Sequence, residues 1–450
     1  CRMTELRQTA SSAGLIGLTA LGGAAVGFVL QLLVAYYFGA SASTDAYFMA
    51  ISTSELLGKL LLGGSITAVF VPMFVERITR GQRHEAWHLA LNIMHITGAL
   101  FIVALLLIGL FTGPFVRFIA PGFDSTTTIL TIKLIRVLLP AFLFLFLVEF
   151  ATAILHSFKK FNLPAWLRVI APAISIIAVA SLAHSLGIFA LAVGTVLGSI
   201  AQLAFLLWGI SRQGFSYQFI FSPRDPALKR LLHLVAPFII AVLATQAAGI
   251  VYRILVSHLP EGSLAALKFA EKITQLLTII FLSSITAVIY PTLSSKAAQR
   301  DFAGMRDTIA FSIRLITLIT IPLIIGVSLL RHPFIALVYQ HGSFNSTAAS
   351  ATSIALLFLI LGLTINGISS VLGHATLALQ KTRASVAVSV ASQLVAIALF
   401  LILVPRFNLA GLAVTASLVP IAIAGLYFWY LTRFIPNLGH VFIHRSYLKI

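Results

Sequence analysis

Long apolar runs recur along nearly the whole of this 450-residue chain, separated by short polar segments. About twelve of these runs reach the roughly 18 residues that a helix needs to cross a bilayer. Few charges interrupt them, which favours membrane-spanning helices over the buried helices of a water-soluble domain. We predict spans at residues 10–38, 46–74, 87–112, 129–157, 163–184, 187–211, 228–257, 264–293, 307–331, 346–379, 384–404 and 409–433.

The second six spans repeat the first six. Ala-Val-Phe-Val-Pro at 68–72 returns as Ala-Val-Ile-Tyr-Pro at 287–291, and Leu-Ala-Val at 191–193 returns at 412–414. The offset between matched positions is nearly constant and grows only slightly after the loop near 122. Ordered matches of this kind indicate an internal repeat. Six spans per repeat give both repeats the same orientation. We therefore predict an all-α polytopic membrane protein with two pseudo-symmetric six-helix lobes around a central cavity.

The repeat also predicts how the chain divides. The segment between the two sets of spans contains Pro223 and Pro226 and is the natural linker. The predicted parts are an N-lobe at 1–211, a cytoplasmic linker at 212–227, a C-lobe at 228–433 and a cytoplasmic tail at 434–450.

The positive charges follow the predicted spans. The chain is 59% hydrophobic with a mean hydropathy of +1.04, yet its formal net charge is +18. Outside the spans, Lys and Arg concentrate on alternate loops, whereas the other loops carry only Arg117, Arg331 and Arg406. Cytoplasmic loops are the basic ones, so both termini are predicted to be cytoplasmic. Topology and anionic lipid explain the basic surface, and no nucleic-acid partner is predicted.

Several charged residues fall deep inside predicted spans, where each costs a few kcal/mol and is a functional candidate by default. Glu55 and Lys59 lie one helical turn apart and can pair. Lys268 and Lys272 have the same spacing and would repel unless an anion or Glu271 lies nearby. The predicted substrate-binding cations are Lys59, Arg253, Lys272, Lys268 and Arg136, with Glu55 and Glu271 as charge partners.

These charges predict a cationic, water-filled cavity suited to a headgroup that carries phosphate. Lysine would act there as a point charge, and arginine could bind a phosphate in bidentate fashion. Two alternatives stay open. Lys133 and Arg136 could instead extend to the outer membrane interface, and Glu149 could be a proton site or a contact between helices.

The sequence contains no zinc-protease, Walker A or nucleophile-elbow motif, so we predict neither an enzyme nor a cofactor. The single cysteine, Cys1, excludes disulfide frameworks and cysteine metal clusters. Any pumping would then draw on an ion gradient, the membrane potential or the substrate gradient, and the coupling ion stays open.

Several short stretches resemble the MurJ/MviN lipid II flippases of the multidrug/oligosaccharidyl-lipid/polysaccharide exporter superfamily. They include Thr-Asp-Ala-Tyr-Phe at 44–48, Ala-Pro-Gly-Phe at 120–123, Tyr-Gln-His-Gly-Ser-Phe at 339–344 and Ala-Leu-Gln-Lys-Thr at 378–382. The stretches occur in family order over nearly the whole chain. The resemblance implies a flippase of the bacterial inner membrane that works by alternating access.

The resemblance also bears on single residues. Asp45 matches an acidic residue of the family, and we include it among the charge partners. The family's acid–arginine pair in span 8 becomes Glu271-Lys272 here, and its span-2 arginine falls on Gly58, next to Lys59.

Four functions follow from these observations. The leading hypothesis is a flippase for a polyprenyl-pyrophosphate-linked glycan, with lipid II for peptidoglycan synthesis as the first candidate; its partners would be that substrate and the membrane lipids. An O-antigen or exopolysaccharide flippase of the same superfamily is the first alternative. A drug or cation antiporter is disfavoured because organic cations need acidic partners. A non-transporting scaffold for envelope assembly is the alternative from another class.

Overall fold

The structure, a computed structural model, describes residues 2–61, 65–215 and 217–439. Within these ranges it does not describe the side chains at 2–13, 16, 54, 55, 57, 59–61, 65–69, 227, 229, 231–240, 284 and 287. All regular secondary structure in the described residues is helical. The helices are α1 (Arg2–Phe38), α2 (Ala42–Leu61), α3 (Ser65–Thr79), α4 (Arg83–Leu110), α5 (Thr112–Ile119), α6 (Ser125–Ser157), α7 (Asn162–Ala165), α8 (Leu167–Leu186), α9 (Phe189–Ser211), α10 (Pro226–Ser257), α11 (Ser263–Leu277), α12 (Ser283–Ala298), α13 (Phe302–Tyr339), α14 (Ser346–Leu361), α15 (Leu363–Ala378) and α16 (Thr382–Leu431).

Most predicted spans appear as single long helices. Among the described residues, eight segments are long and apolar enough to cross a membrane. They cover predicted spans 1, 3 to 6 and 9 to 12, with α16 covering the last two. Span 7 lies within α10 (Pro226–Ser257), of which the apolar part Ala241–Ser257 has described side chains. Span 8, predicted at 264–293, appears as α11 and α12 joined without a gap by a π-helical segment at Thr278–Leu282.

The chain divides into two compact units, Cys1–Gln246 and Ala247–Ile450. In the first unit, α6 packs on α2, α3, α4 and α9, and α8 packs on α1 and α9. In the second unit, α14 packs on α11, α13 and α16, and α15 packs on α12, α13 and α16. Helices at equivalent places in the repeat thus have equivalent neighbours within each unit, which confirms the predicted internal repeat.

Each unit is built around its own apolar core. The first contains a cluster of aromatic rings among its aliphatic side chains: the Phe74 and Trp87 centroids are 5.6 Å apart, and those of Phe70 and Phe150 are 5.1 Å apart. Branched aliphatic side chains dominate the second, including the fully buried Ile309, Ile316 and Val371. Close packing of such side chains stabilises each unit through van der Waals contacts between helices.

The repeat extends to single backbone conformations at the turns. At three turns, a residue with positive φ has an equivalent with nearly the same φ in the other repeat. The pairs are Gly81 and Arg300 (77° and 57°), Lys159 and Gln380 (58° and 57°), and Gly187 and Asn408 (55° and 49°). Each pair has the spacing that the sequence repeat predicts for its part of the chain.

The 50-residue α16 contains a break at Asn408, which has φ 49° and ψ −128°. Gly187, which ends α8 before α9 begins, has φ 55° and ψ −138°. The break therefore corresponds to the turn between α8 and α9, and it separates the two spans that the sequence predicts at 384–404 and 409–433.

This backbone conformation is one that glycine adopts far more readily than asparagine. We therefore expect Asn408→Gly to stabilise the protein by about 1 kcal/mol, because it removes local strain at the turn. The measurement is thermal unfolding of the purified protein in detergent. Gly187→Ala is the matched change at the equivalent turn and should lower the unfolding temperature. A lower unfolding temperature for Asn408→Gly would contradict the assignment of the turn.

Helices α6 and α14 begin with equivalent side-chain caps. The Asp124 carboxylate accepts hydrogen bonds from the backbone N–H groups of Thr126 and Thr127, both at 3.1 Å. Asn345, at the equivalent position of the second repeat, accepts one from the N–H of Ala348 at 2.8 Å. Such caps satisfy backbone donors that have no partner inside the helix.

The two caps should respond differently to acid. Hydrogen bonds from Thr127 and Thr126 lower the pKa of Asp124 below its ordinary value. A lowered folded-state pKa gives stability that is present above the unfolded-state pKa and lost as pH falls through the folded one. The unfolding temperature of Asp124→Asn minus that of wild type should therefore be larger below about pH 4 than at pH 7. Asn345→Asp should show the opposite trend. Parallel pH profiles for all three proteins would contradict this.

Candidate functional site

Helix α11 has one apolar face and one polar face. Its apolar side chains, among them Leu264, Phe269 and Ile273, are buried, and the helix packs on α14. The Phe269 ring lies 5.1 Å from Tyr339 and 5.2 Å from Phe344, centroid to centroid. A polar face on a membrane-spanning helix must turn towards water, a ligand or other protein rather than lipid.

The polar face opens onto a cleft of about 490 Å³ within the second unit. Most of its lining residues carry a hydroxyl or amide group, although apolar atoms make up most of its surface, and Glu271 is the only charged lining residue among those described. Helix α11 and its continuation contribute Glu271, Thr274, Gln275, Thr278, Leu282, Ser283 and Thr286, and α14 and α15 contribute Leu359, Asn366, Gly367 and Ser370.

The π-helical segment lies in the middle of this wall of the cleft. Thr278 and Leu282, its first and last residues, both line the cleft. A π segment inserts extra backbone into a helix and is often found at functional sites. Here it lets residues before and after it, such as Gln275 and Ser283, line the same cleft.

Charged side chains lie at one end of the cleft. Lys268 Nζ is 2.7 Å from Glu271 Oε2, which forms an ion pair one turn apart on α11. The same ammonium lies 5.9 Å from the centroid of the Tyr252 ring. Lys272 is half-buried, and the structure gives it no hydrogen bond or ion pair with a described residue. Because Glu271 neutralises Lys268, Lys272 supplies the net positive charge on this part of α11.

Arg253 lies on α10 in the same unit and is only 8% exposed. A Cβ atom placed on Gly249, one turn earlier, would lie 3.0 Å from Arg253 Nη1. The glycine thus makes room for the guanidinium against its own helix. Arg253 is not among the residues that line the cleft.

The predicted residues of the first unit are dispersed. Arg136 and Lys133 are exposed on one face of α6, next to the exposed Ile129 and Val137. Asp45 is 4% exposed in the first turn of α2, where a carboxylate interacts favourably with the helix dipole. The side chains of Glu55 and Lys59 lie outside the described residues.

The structure therefore brings together Lys268, Glu271 and, beside them on α11, Lys272. The sequence analysis missed the uncharged lining of the cleft, because it searched the spans for charges only. A signal was present: polar residues recur every three or four positions at Glu271, Gln275 and Thr278, and Asn366 and Ser370 lie one turn apart.

Comparison with known proteins identifies the family. The sequence profile described as "Lipid II flippase MurJ" matches residues 34–446. The "Lipid II flippase MurJ" of Burkholderia cenocepacia is 24% identical over 398 residues, which cover 86% of this chain and 77% of that protein. The "Probable lipid II flippase MurJ" of Rickettsia prowazekii is 23% identical over 410 residues, covering 90% of this chain and 80% of its own length.

Solved structures agree at the level of the fold. A "Lipid II flippase MurJ" in an inward closed conformation superposes with a TM-score of 0.81 at 24% identity, covering 97% of this chain and 92% of that one. An inward-facing multidrug resistance MATE transporter gives a TM-score of 0.75 at 16% identity and covers 95% and 96%. The profile match covers most of the chain and confirms the family that the sequence stretches indicated. This chain is a multi-pass membrane protein that belongs to the lipid II flippase MurJ family.

Proposed function

We propose that this protein moves a polyprenyl-pyrophosphate-linked glycan, with lipid II as the first candidate, from the inner to the outer leaflet of the bacterial cytoplasmic membrane. The observation that carries the proposal is the cleft along α11, lined by hydroxyl and amide side chains, beside a lysine to which the structure gives no hydrogen bond or ion pair with a described residue. Hydroxyl and amide side chains match the hydrogen-bonding groups of a sugar, and lysine matches phosphate.

Each group in the second unit then has a role. Lys272 binds the pyrophosphate as a point charge, and the Lys268–Glu271 pair holds the polar face of α11 in place. Arg253 adds positive charge close to its helix axis, and the cleft side chains bind the sugar. The polyprenyl tail stays in lipid, where it needs no polar partner.

The repeat extends the proposal to the first unit. In the register that matches residues 68–72 with 287–291, Glu55 and Lys59 are equivalent to Thr274 and Thr278, which both line the cleft. We therefore place Lys59 on the equivalent polar face of α2, as a second cation for the headgroup. Two further residues have supporting roles. Arg136, on the exposed face of α6, attracts anions, and Asp45, at the start of α2, positions that helix.

Transport by alternating access needs an energy source. The sequence has no nucleotide-binding motif, so we propose that an ion gradient, the membrane potential or the substrate gradient drives the cycle. Both termini lie on the cytoplasmic side, as the distribution of Lys and Arg favours.

A second candidate function is export of an organic cation, because a MATE transporter has a similar fold. The charges favour the flippase. Among the described residues of α11, two lysines accompany one glutamate, and that glutamate is already paired. An organic cation would meet net repulsion there.

Complementation of a conditional lipid II flippase mutant tests the proposal. We expect the wild-type gene to restore growth when the resident flippase is depleted. Membrane insertion is checked with a C-terminal tag. Growth failure with normal insertion would contradict lipid II as substrate and favour an O-antigen or exopolysaccharide precursor, which complementation of a strain lacking that flippase would identify.

A further inference from the structure

The segment between α9 and α10 is described at residues 212–215 and 217–225. These residues, which we call the strap, are bound along the surface of α4 in the first unit. The amide of Asn92, which is fully buried, makes three hydrogen bonds to it. Asn92 Oδ1 accepts from the N–H of Ser222 at 2.7 Å, and Nδ2 donates to the Ser222 carbonyl at 3.1 Å and to Asp225 Oδ2 at 3.2 Å. His95 Nδ1 lies 2.9 Å from the carbonyl oxygen of Ile220. The strap is therefore fixed to α4 at two successive turns.

Aromatic side chains occupy every second position of the strap, at 215, 217, 219 and 221. Phe215 is turned inwards, and its ring lies 5.0 Å from that of Trp87. The other three are largely exposed: Tyr217 60%, Phe219 73% and Phe221 51%. Their one polar contact with a described residue is between the Tyr217 hydroxyl and His95 Nε2, at 3.1 Å, and the Phe219 ring lies 4.8 Å from the His95 ring. Three neighbouring open aromatic rings form the kind of apolar patch that marks an interaction surface.

The strap lies at one end of an exposed apolar stripe on α4. Along α4, the exposed side chains of Ile102, Leu106 and Leu110 follow His95 at helical spacing. The rise of an α-helix places His95 about 22 Å from Leu110 along the axis, whereas the hydrocarbon core is about 30 Å thick. The aromatic side chains at the level of His95 thus lie within about 8 Å of the far boundary of the hydrocarbon, where Trp and Tyr rings concentrate.

Positive charge lies at both ends of the aromatic row. Arg212 lies 4.0 Å above the ring of Trp208, itself 49% exposed, and Arg224 is exposed. The acidic Asp225 is engaged by Asn92. The distribution of Lys and Arg predicts that this side of the protein faces the cytoplasm, where the leaflet carries anionic lipid.

We propose that the strap is a binding surface for anionic phospholipid headgroups. Tyr217, Phe219 and Phe221 insert at the level of the headgroups, and Arg212 and Arg224 bind the lipid phosphates. A membrane surface fits better than a protein partner, because the row continues a lipid-facing stripe and its flanking charges match the leaflet. Anionic lipid thereby holds the connection between α9 and α10 against α4.

Spin labelling in vesicles tests this surface. Cys1 is the single cysteine, so Cys1→Ser provides a background for Phe219→Cys, with Phe221→Cys as a second reporter. Gln218→Cys is the matched control, because Gln218 is an exposed polar residue between two aromatic positions of the same segment. The measurement is the accessibility of each label to oxygen and to a water-soluble nickel complex, in vesicles with or without phosphatidylglycerol in phosphatidylcholine.

We expect the labels at 219 and 221, but not at 218, to gain protection from nickel when phosphatidylglycerol is present. Arg212→Gln with Arg224→Gln should raise the phosphatidylglycerol fraction needed for that gain about tenfold, whereas Arg117→Gln, on the distant helix α5, should not. Equal nickel access at all three positions would place the strap in water and overturn the proposal. Protection that is independent of phosphatidylglycerol would overturn the headgroup assignment. Dipolar broadening between labels would show that a second copy covers the strap, which would also overturn it.

Discussion

Lys272→Glu should abolish translocation of the lipid-linked glycan, with a loss of at least about a hundredfold. A unit charge about 4 Å from a phosphate interacts by about 4 kcal/mol at the effective dielectric near a protein surface, and each 1.4 kcal/mol is a factor of ten. Reversing the charge replaces this attraction with repulsion. The measurement is the rate of transport in reconstituted vesicles, together with rescue of the conditional flippase strain. Lys59→Glu should have the same effect if Lys59 serves the equivalent face of α2.

Two variants separate charge from folding. Lys272→Arg keeps the charge and restores the residue type that the family resemblance implies, so we expect activity to be retained. Lys160→Glu makes the same change of charge in an exposed loop and should leave transport near wild type. If Lys272→Glu transports normally while its insertion and melting match wild type, the assignment of Lys272 to the substrate is wrong. Normal complementation by both glutamate variants, without transport, would favour the scaffold alternative.

The second large effect is expected from the sugar-binding side of the cleft. Asn366 and Ser370 lie one turn apart on α15 and line the cleft opposite α11. Replacing both with leucine leaves the polar groups of a bound sugar without partners, at about 1–3 kcal/mol each. We expect transport to fall by at least about thirtyfold, because even the low end of that penalty applies to two groups.

The control for this pair is Ser350→Leu, on an exposed part of α14 that does not line the cleft. Thermal unfolding should show that the double variant remains folded, since both side chains face open space rather than a packed core. A double variant with wild-type transport and wild-type stability would mean that the glycan does not enter this cleft. Lys272 could then still bind phosphate, so the two predictions fail independently.

The sequence predicts the architecture well, because membrane spans and an internal repeat leave strong signals. Hydropathy alone could not show the π-helical segment at Thr278–Leu282, since this segment is as apolar as its surroundings. The turn at Asn408 could be predicted from the two apolar runs on either side of it. Its positive φ matches that of Gly187, the equivalent residue of the first repeat.

The site was predictable only in part. Charges such as Lys268 and Glu271 stand out in an apolar span, and their pairing follows from their spacing on one helix. The contribution of Asn366 depends on how α15 packs beside α12, which no local pattern specifies. Arg136 was predicted as a binding residue, but its position in the sequence alone does not say which surface of α6 it occupies.

The most direct test of the account is transport of purified lipid II in proteoliposomes that contain only this protein. The account predicts that wild type and Lys272→Arg deliver the headgroup to the opposite leaflet and that Lys272→Glu does not. A synthetic polyprenyl lipid with the same glycan but no phosphate should not be moved by any of the three. Transport of the uncharged lipid as fast as lipid II, or equal rates for Lys272→Glu and wild type, would contradict recognition of a phosphorylated headgroup by cations in the membrane.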